Sequence, residues 1–347
     1  MANADWLVLQ FHITGRCNLQ CKHCYRTDGG VQPLSFDDVI GTLEQFKALI
    51  KRRASETNSA EWGHVNITGG EPFMREDMPL LLEYFEKNKS VLGFGVLTNG
   101  SFITEDMIGL LKKAGVSFVQ LSLDGNRALH DELRAKGDYR RTLKTAALLE
   151  KRGIKTYISF TANRKNIKAL PSAAWACRLR GISLLWSDRL VPIGNGADMK
   201  ELAITREYMP EYLSMLKKAV GTRLTQRLFP KTFVARNRAI QFLGCTDPIY
   251  TCSAGNQLIT VDEFGNIMPC RRMGTVCGDV FSSSLEEIYC HHPLFLSLRE
   301  SAVPESCYGC IYNHLCRGGA KCQTLAAYGR LNEADPGCPL SKTGGDL

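Results

Sequence analysis

Six short apolar runs punctuate residues 6–191: WLVLQFHI, HVNIT, GFGVLT, FVQLSL, KTYISF and SLLWSDRLV. Amphipathic stretches of helical period separate them, an alternation that predicts repeated βα units around a parallel sheet. In the first of these stretches Ser35 precedes FDDVIGTLEQFKALIKRR with Asp38 three residues on, the spacing of a capping box. Thr104 likewise opens EDMIGLLKKAG, which stops at Gly115, a glycine placed to end a helix. A closed barrel of this kind has eight strands and the sequence offers six. The expected fold is therefore α/β, an open, partial (β/α)6 TIM-like barrel with its functional loops at the C-terminal ends of the strands. An open side admits a large substrate.

After VPIGNGAD the alternation stops. TREYMPEYLSMLKKAV and KTFVARNRAIQFL read as two connecting helices, and from Cys245 onward the chain is rich in cysteine and glycine and short of regular elements. That composition predicts a small module held by metals rather than by apolar area. The expected division is a core over residues 1–200, a helical connector over 201–244 and a cysteine-rich domain over 245–347.

Composition narrows the class. At 347 residues, 44% apolar and 22% charged, the chain is long enough for a sizeable core without disulfides. No apolar run approaches the roughly 18 residues that span a bilayer, so no membrane segment is expected. Fourteen cysteines behind an N-terminus, MANADWLVLQF, that lacks a secretory signal point to ligands or redox groups in a reducing cytoplasm. The net charge of +8 is spread over short clusters such as KRR at 51–53, which suits a solvated surface and no nucleic acid.

Directly after the first strand, RCNLQCKHCY sets Cys17, Cys21 and Cys24 at spacings of three and then two residues. Thiolates bind soft metals, and three of them on a four-iron cluster leave one iron open. Spacing alone also allows a zinc ion completed by His23, or three unrelated thiols. With Tyr25 following, however, the run resembles the cluster loop of the radical S-adenosylmethionine (SAM) enzymes. Further matches come in that family's order: TGGEP at 68–72, TNG at 98–100, LSLDG at 121–125 and RLVPIGNG at 189–196, each following a predicted strand.

The resemblance implies that the open iron chelates the amino and carboxylate groups of SAM. One electron then cleaves the sulfonium, and a 5'-deoxyadenosyl radical abstracts hydrogen from substrate. It assigns cofactor contacts to Gly69, Gly70, Glu71, Ser122, Asp124 and Arg189. The residue types agree: glycines let a backbone approach a ligand closely, and Glu71 offers acceptors to an ammonium group. Ser122 and Asp124 share one strand face by period two, able to meet a carboxylate or ribose hydroxyl, although a strand-end turn would use the same pair.

The later cysteines are also patterned, as Cys252-x12-Gly265-x4-Cys270 and Cys307-x2-Cys310-x5-Cys316-x5-Cys322, then Cys338. Together with the first loop they resemble the SPASM module, which carries two auxiliary four-iron clusters in many radical SAM enzymes that modify peptides. The resemblance implies one cluster on Cys245, Cys252, Cys270 and Cys322 and a second on Cys307, Cys310, Cys316 and Cys338, so three 4Fe-4S clusters in all. Cys177, Cys277 and Cys290 are left over. Cys177, in the helical run AAWACRL, reads as a packed small hydrophobe, and Cys277 as a structural cysteine, a substitute ligand or a substrate-facing thiol. CRGGAKC places five residues before its last cysteine where the family has three, which puts the role of Cys322 in question.

The expected function is a precursor-peptide maturase that leaves a cross-link or an epimerised residue, with no catalytic residue assigned. A flavodoxin- or ferredoxin-type donor would supply electrons. The predicted strands begin by Trp6, so leader recognition falls to the barrel rim or a separate leader-binding protein. The alternative is a tetrapyrrole or haem enzyme, since such relatives share a PCRR-type segment. A second alternative, sulfatase maturation, is disfavoured because its base, an aspartate after the cysteine equivalent to Cys270, is here Arg271, which stays charged. The non-catalytic alternative is a zinc-stabilised binding protein.

Overall fold

Alternation of buried and partly buried residues along β1 (Leu7–His12) turns Leu7, Leu9 and Phe11 into the core, as the apolar run predicts. The computed structural model describes residues 6–27, 34–58, 60–235, 251–300 and 303–341. The βα succession continues through α1 (Phe36–Thr57), β2 (Gly63–Thr68), α2 (Met78–Asn88), β3 (Leu92–Leu97), α3 (Glu105–Ala114) and β4 (Phe118–Ser122). Next come α4 (Arg127–Leu133), α5 (Asp138–Lys151), β5 (Thr156–Ala162), α6 (Leu170–Arg178) and β6 (Leu184–Arg189). All six expected strands are present, and the fold is α/β with parallel pairing.

The caps form as the sequence indicates. Ser35 Oγ accepts from the Asp38 amide at 3.1 Å, and the Asp38 carboxylate accepts from the Ser35 amide at 2.8 Å, satisfying two of the helix's free N–H groups reciprocally. Thr104 caps α3 by one bond, its Oγ1 accepting from the Met107 amide at 3.2 Å, and Gly115 ends the helix with a left-handed φ of 81°.

Beyond β6 the chain forms α7 (Met209–Val220), α8 (Arg223–Leu228) and β7 (Phe233–Val234). The first connecting helix is where it was expected. The second reading is corrected: Phe233 and Val234 pair in parallel with Leu184 and Leu185 of β6, a site that suits an aromatic and a β-branched residue. Residues 236–243 of that run lie outside the described residues, as does Cys245.

The described chain then gives β8 (Leu258–Val261), β9 (Asn266–Met268), β10 (Gly278–Asp279), α9 (Leu285–His291), α10 (Pro293–Glu300), α11 (Asn313–Cys316) and α12 (Lys321–Tyr328). Strand β8 runs parallel to β1, with Leu9 opposite Ile259 and Phe11 opposite Val261. Ile259, Val261, Ile267, Leu285 and Phe295 are buried, so apolar area contributes to this stretch more than its composition indicates.

That pairing explains why the two compact units do not follow chain order. The first joins Met1–Asn18, Gly29–Val119 and Ser253–Ser301; the second joins Leu19–Asp28, Gln120–Cys252 and Ala302–Leu347. Within the first, the strand order is β10-β9-β8-β1-β2-β3, with only the β8–β9–β10 pairings antiparallel. Within the second, β5, β6 and β7 lie side by side in parallel. Helix α1 packs Val39, Leu43, Phe46, Leu49 and Ile50 inward at helical spacing. No helix among the described residues is long and apolar enough to cross a membrane.

Phe46 is wholly buried in that stripe. Phe46→Ala should destabilise the protein by about 3–5 kcal/mol through lost burial and a residual cavity, read as a lower midpoint in urea denaturation.

Candidate functional site

In the first unit, the chain leaving β1 continues its ladder with β2 beyond the strand ends. The Ile13 amide donates to the Thr68 carbonyl at 3.0 Å, Gly70 N–H to Thr14 O at 2.8 Å and Glu71 N–H to Arg16 O at 2.8 Å. Gly69 has φ 151°, and a Cβ there would stand 2.4 Å from the Thr14 carbonyl oxygen; one at Gly70 would stand 2.2 Å from that of Arg16. Both contacts are with backbone, which cannot swing away. The glycine pair that the sequence assigns to close ligand approach is thus required already by the approach of residues 14–16, immediately before Cys17.

Glu71 is fully buried. Its Oε1 accepts from the Thr98 hydroxyl at 2.7 Å and the Phe73 amide at 3.2 Å, and its Oε2 from the Asn99 amide at 2.8 Å. The carboxylate therefore ties the GGEP turn to the TNG turn. Asn99 in turn donates through Nδ2 to Asn18 Oδ1 at 2.8 Å, and Asn18 donates to Ser101 Oγ at 3.1 Å, so the residue after Cys17 is held by the TNG turn. Sequence reasoning missed Arg75. Its buried guanidinium donates to the carbonyls of Ile13 at 2.8 Å and Leu34 at 2.9 Å while gripping Asp77 through Nε and Nη2. The only signal was a charged residue just inside the turn that closes GGEP.

The second unit holds the rest of the cysteine loop. Lys22 N–H donates to Leu133 O at the end of α4 (3.0 Å), Gly196 N–H to Cys24 O (2.9 Å) and Asn195 N–H to Arg26 O (3.1 Å). Gly194, with φ 58°, lies where a Cβ would be 2.4 Å from the Tyr25 carbonyl carbon. The GNG run is thus a backbone clamp on the loop.

Asp124, fully buried at the end of LSLD, organises the charges around it. Its Oδ2 accepts from Arg134 Nε at 2.6 Å and stands 3.3 Å from His23 Nε2; its Oδ1 accepts from the Thr161 amide at 2.8 Å. Arg134 also donates through Nη1 to the Cys21 sulfur at 3.8 Å, and its Nη2 lies 3.4 Å from His23 Nε2. Burial alone would push the Asp124 carboxyl up, but Arg134 and His23 hold it well below the usual carboxylate range. The Asp124 amide donates to His130 Nδ1 at 3.0 Å, leaving Nε2 to face Asp138 at 3.0 Å. Ser122 is half-buried at the C-terminal end of β4.

Arg189, also assigned to the cofactor by resemblance, is buried with Nη2 on Asp335 Oδ2 at 2.5 Å. Asp335 accepts in addition from the amides of Ala320 (3.1 Å) and Gly337 (2.8 Å), and its carbonyl takes the Cys338 amide at 2.8 Å. The charge of Arg189 is thus committed to the segment carrying Cys338.

The four cysteines implied for the second auxiliary cluster lie near one another. Burial, then Cys338, Asp335 and Cys307, push the Cys316 thiol up to about 12. Burial raises Cys307 too, with Cys310 contributing, and raises Cys338, with Cys307 contributing. Thiols that raise one another's pKa compete for protons that a bound metal would displace, so the donor set fits a thiolate-ligated cluster. Lys321, buried between Cys316 and Cys322 in sequence, donates to the carbonyls of Arg317 and Leu331; burial lowers its pKa, against the opposing pull of Cys252, Cys307 and Cys316. Of the other implied set, Cys252 and Cys322 belong to the second unit and Cys270 to the first. Among the described residues no three His, Cys, Asp or Glu side chains are gathered as a single-ion cage.

Two residues that the sequence did not single out fix Arg271. Its Nη1 donates to Asp262 Oδ2 at 2.9 Å and its Nη2 lies 3.3 Å from both oxygens of Glu263. Cys177 is fully buried in α6, its thiol pushed up to about 12 by burial, which makes it the packed hydrophobe the sequence indicates. Burial likewise pushes Cys277 up to about 11.

Comparison with known proteins agrees with this arrangement. The radical SAM superfamily model matches residues 11–167, and that of the SPASM iron-sulfur cluster-binding domain matches residues 252–311. Fe-coproporphyrin III synthase of Methanosarcina barkeri is 26% identical over 96% of this chain and 88% of its own. Mycofactocin maturase MftC of Mycolicibacterium smegmatis is 27% identical over 96% of this chain and 82% of its own. The crystal structure of Streptococcus suis SuiB bound to precursor peptide SuiA superposes with a TM-score of 0.65 at 20% identity, covering 97% of this chain and 76% of that one. The two family models take in the three-cysteine loop and part of the later cysteine-rich segment: the chain belongs to the radical SAM enzymes with a C-terminal SPASM module.

Proposed function

We propose that this enzyme modifies a precursor peptide, leaving a cross-link or an epimerised residue. The observation that carries the chemistry is the opening loop, in which Cys17, Cys21 and Cys24 recur at the family spacing in a segment whose backbone is held at Arg16, Lys22, Cys24 and Arg26. Cys17, Cys21 and Cys24 would hold the SAM-binding cluster, and Cys245, Cys252, Cys270, Cys322 and Cys307, Cys310, Cys316, Cys338 the two auxiliary ones. Bound there, the cluster and SAM would supply one-electron cleavage of the sulfonium and removal of a hydrogen atom from substrate.

The chain's own residues would orient and protect. Gly69, Gly70 and Glu71 keep the first half of the loop in register, and Glu71 spends its carboxylate on internal donors. That leaves the backbone at the GGEP turn, rather than this carboxylate, to meet the methionine end of SAM. Ser122 stands beside Asp124 at the strand end, and we assign it to the cofactor's carboxylate or ribose. Arg189, committed to Asp335, would act on the auxiliary side. A flavodoxin- or ferredoxin-type donor, a separate leader-binding protein and a reducing cytoplasmic location complete the reading.

The peptide substrate rests on the likeness to mycofactocin maturase along nearly the whole chain. The likeness to Fe-coproporphyrin III synthase is of the same size and favours a tetrapyrrole as the second reading. Sulfatase maturation is opposed by Arg271, whose guanidinium is held by Asp262 and Glu263 and cannot act as a base.

Incubating the reduced enzyme with SAM, a candidate precursor peptide and, in a parallel reaction, a candidate tetrapyrrole, in deuterated water, separates these readings by mass spectrometry. Loss of two hydrogens marks a cross-link and gain of one mass unit per site marks epimerisation; an unchanged peptide together with SAM-dependent conversion of the tetrapyrrole contradicts the peptide reading. Replacing Cys17, Cys21 and Cys24 together by alanine should abolish 5'-deoxyadenosine formation while auxiliary iron is retained. Gly70→Ala, which drives a methyl group into the Arg16 carbonyl, should reduce 5'-deoxyadenosine formation at least tenfold with the far-ultraviolet circular dichroism unchanged.

A further inference from the structure

Arg134 lies outside every motif that identifies the family here, yet it is the cation held against a ligand of the opening loop. We infer that Arg134 tunes the reduction potential of the SAM-binding cluster through Cys21, with Asp124 as its positioning residue. The inference rests on the reading of Cys21 as a cluster ligand and goes beyond it.

Three observations carry it. Arg134 Nη1 points at the Cys21 sulfur, 3.8 Å away, from the C-terminal end of α4. The guanidinium is not free to swing off, because its Nε is bonded to the buried Asp124 carboxylate at 2.6 Å and its Nη2 meets His23 at 3.4 Å. The loop itself is pinned to the same helix end, Lys22 N–H donating to Leu133 O at 3.0 Å, so the sulfur and the guanidinium share one backbone frame. The side chain is 11% exposed, so water screens the contact little.

A hydrogen bond and a positive charge at a ligating sulfur both draw electron density from the cluster and favour its more negatively charged, reduced form. Arginine suits the task because it cannot lose its proton and because its fork reaches the carboxylate and the sulfur at once. Asp124 sets the geometry and moderates the charge. The two residues therefore act on the potential with opposite signs, which a merely structural pair would not do.

The test is a redox titration of the reconstituted full-length enzyme, following by electron paramagnetic resonance the cluster signal that changes on adding SAM. Arg134→Gln should lower its midpoint by the equivalent of a tenfold or greater shift in the one-electron equilibrium, about 59 mV. Arg134→Lys, which keeps the charge without the fork, should fall between. Asp124→Asn should raise the midpoint, since it leaves the guanidinium uncompensated. A Gln variant with full iron and an unchanged midpoint overturns the inference. If that variant fails to retain iron, an Asn variant whose midpoint is unmoved or lowered overturns it instead. A wild-type protein with no SAM-responsive signal contradicts the site reading itself, whereas a responsive signal indifferent to Arg134 contradicts only its tuning.

Discussion

A loop that offers its sulfurs to a metal has no regular structure of its own to keep it in place, and the segment from Cys17 to Cys24 borrows rigidity from its neighbours through the backbone. Gly70 and Glu71 donate to Thr14 and Arg16 on one side, and Gly196 and Asn195 donate to Cys24 and Arg26 on the other. Such bonds specify backbone position without consuming side chains. They also explain the glycines: at Gly69, Gly70 and Gly194 the nearest obstacle to a Cβ is another stretch of backbone, not a movable side chain. Backbone support of this kind is the condition for a site on a loop to be precise.

Buried charge supplies the second layer. Glu71, Asp124 and Asp335 each sit almost out of reach of water and each accept three or more hydrogen bonds or ion pairs. Ion pairs of this kind are weak contributors to net stability, but one left without its partner is costly. Their use here is to hold turns that carry ligands: Glu71 the TNG turn beside Asn18, Asp124 the guanidinium beside Cys21, Asp335 the segment that ends at Cys338.

Much of this was legible in the chain. Apolar runs and caps gave the strands and the ends of α1 and α3 because those signals are local, carried by Ser35, Asp38, Thr104 and Gly115 themselves. The three-cysteine spacing marked the opening site because ligand chemistry constrains residue type directly. What escaped is non-local. Strand β8 joins β1 across some 250 residues, and nothing in LITV announces which strand it will meet. Arg75, Arg134, Asp262 and Glu263 read as ordinary surface charges until the fold buries them. Arg189 and Glu71 were picked out by motif position, and their partners, Asp335 in one case and Thr98 with Asn99 in the other, show that such a position can serve the scaffold.

The account stands or falls on the opening loop carrying one of three iron-sulfur clusters. Iron and acid-labile sulfide per chain, measured in protein purified and reconstituted without oxygen, test this most directly when the wild type is compared with a chain lacking only the Cys17, Cys21 and Cys24 thiols. Loss of one third of both elements is the predicted result. Equal iron in the two proteins, or zinc without sulfide in either, would contradict it.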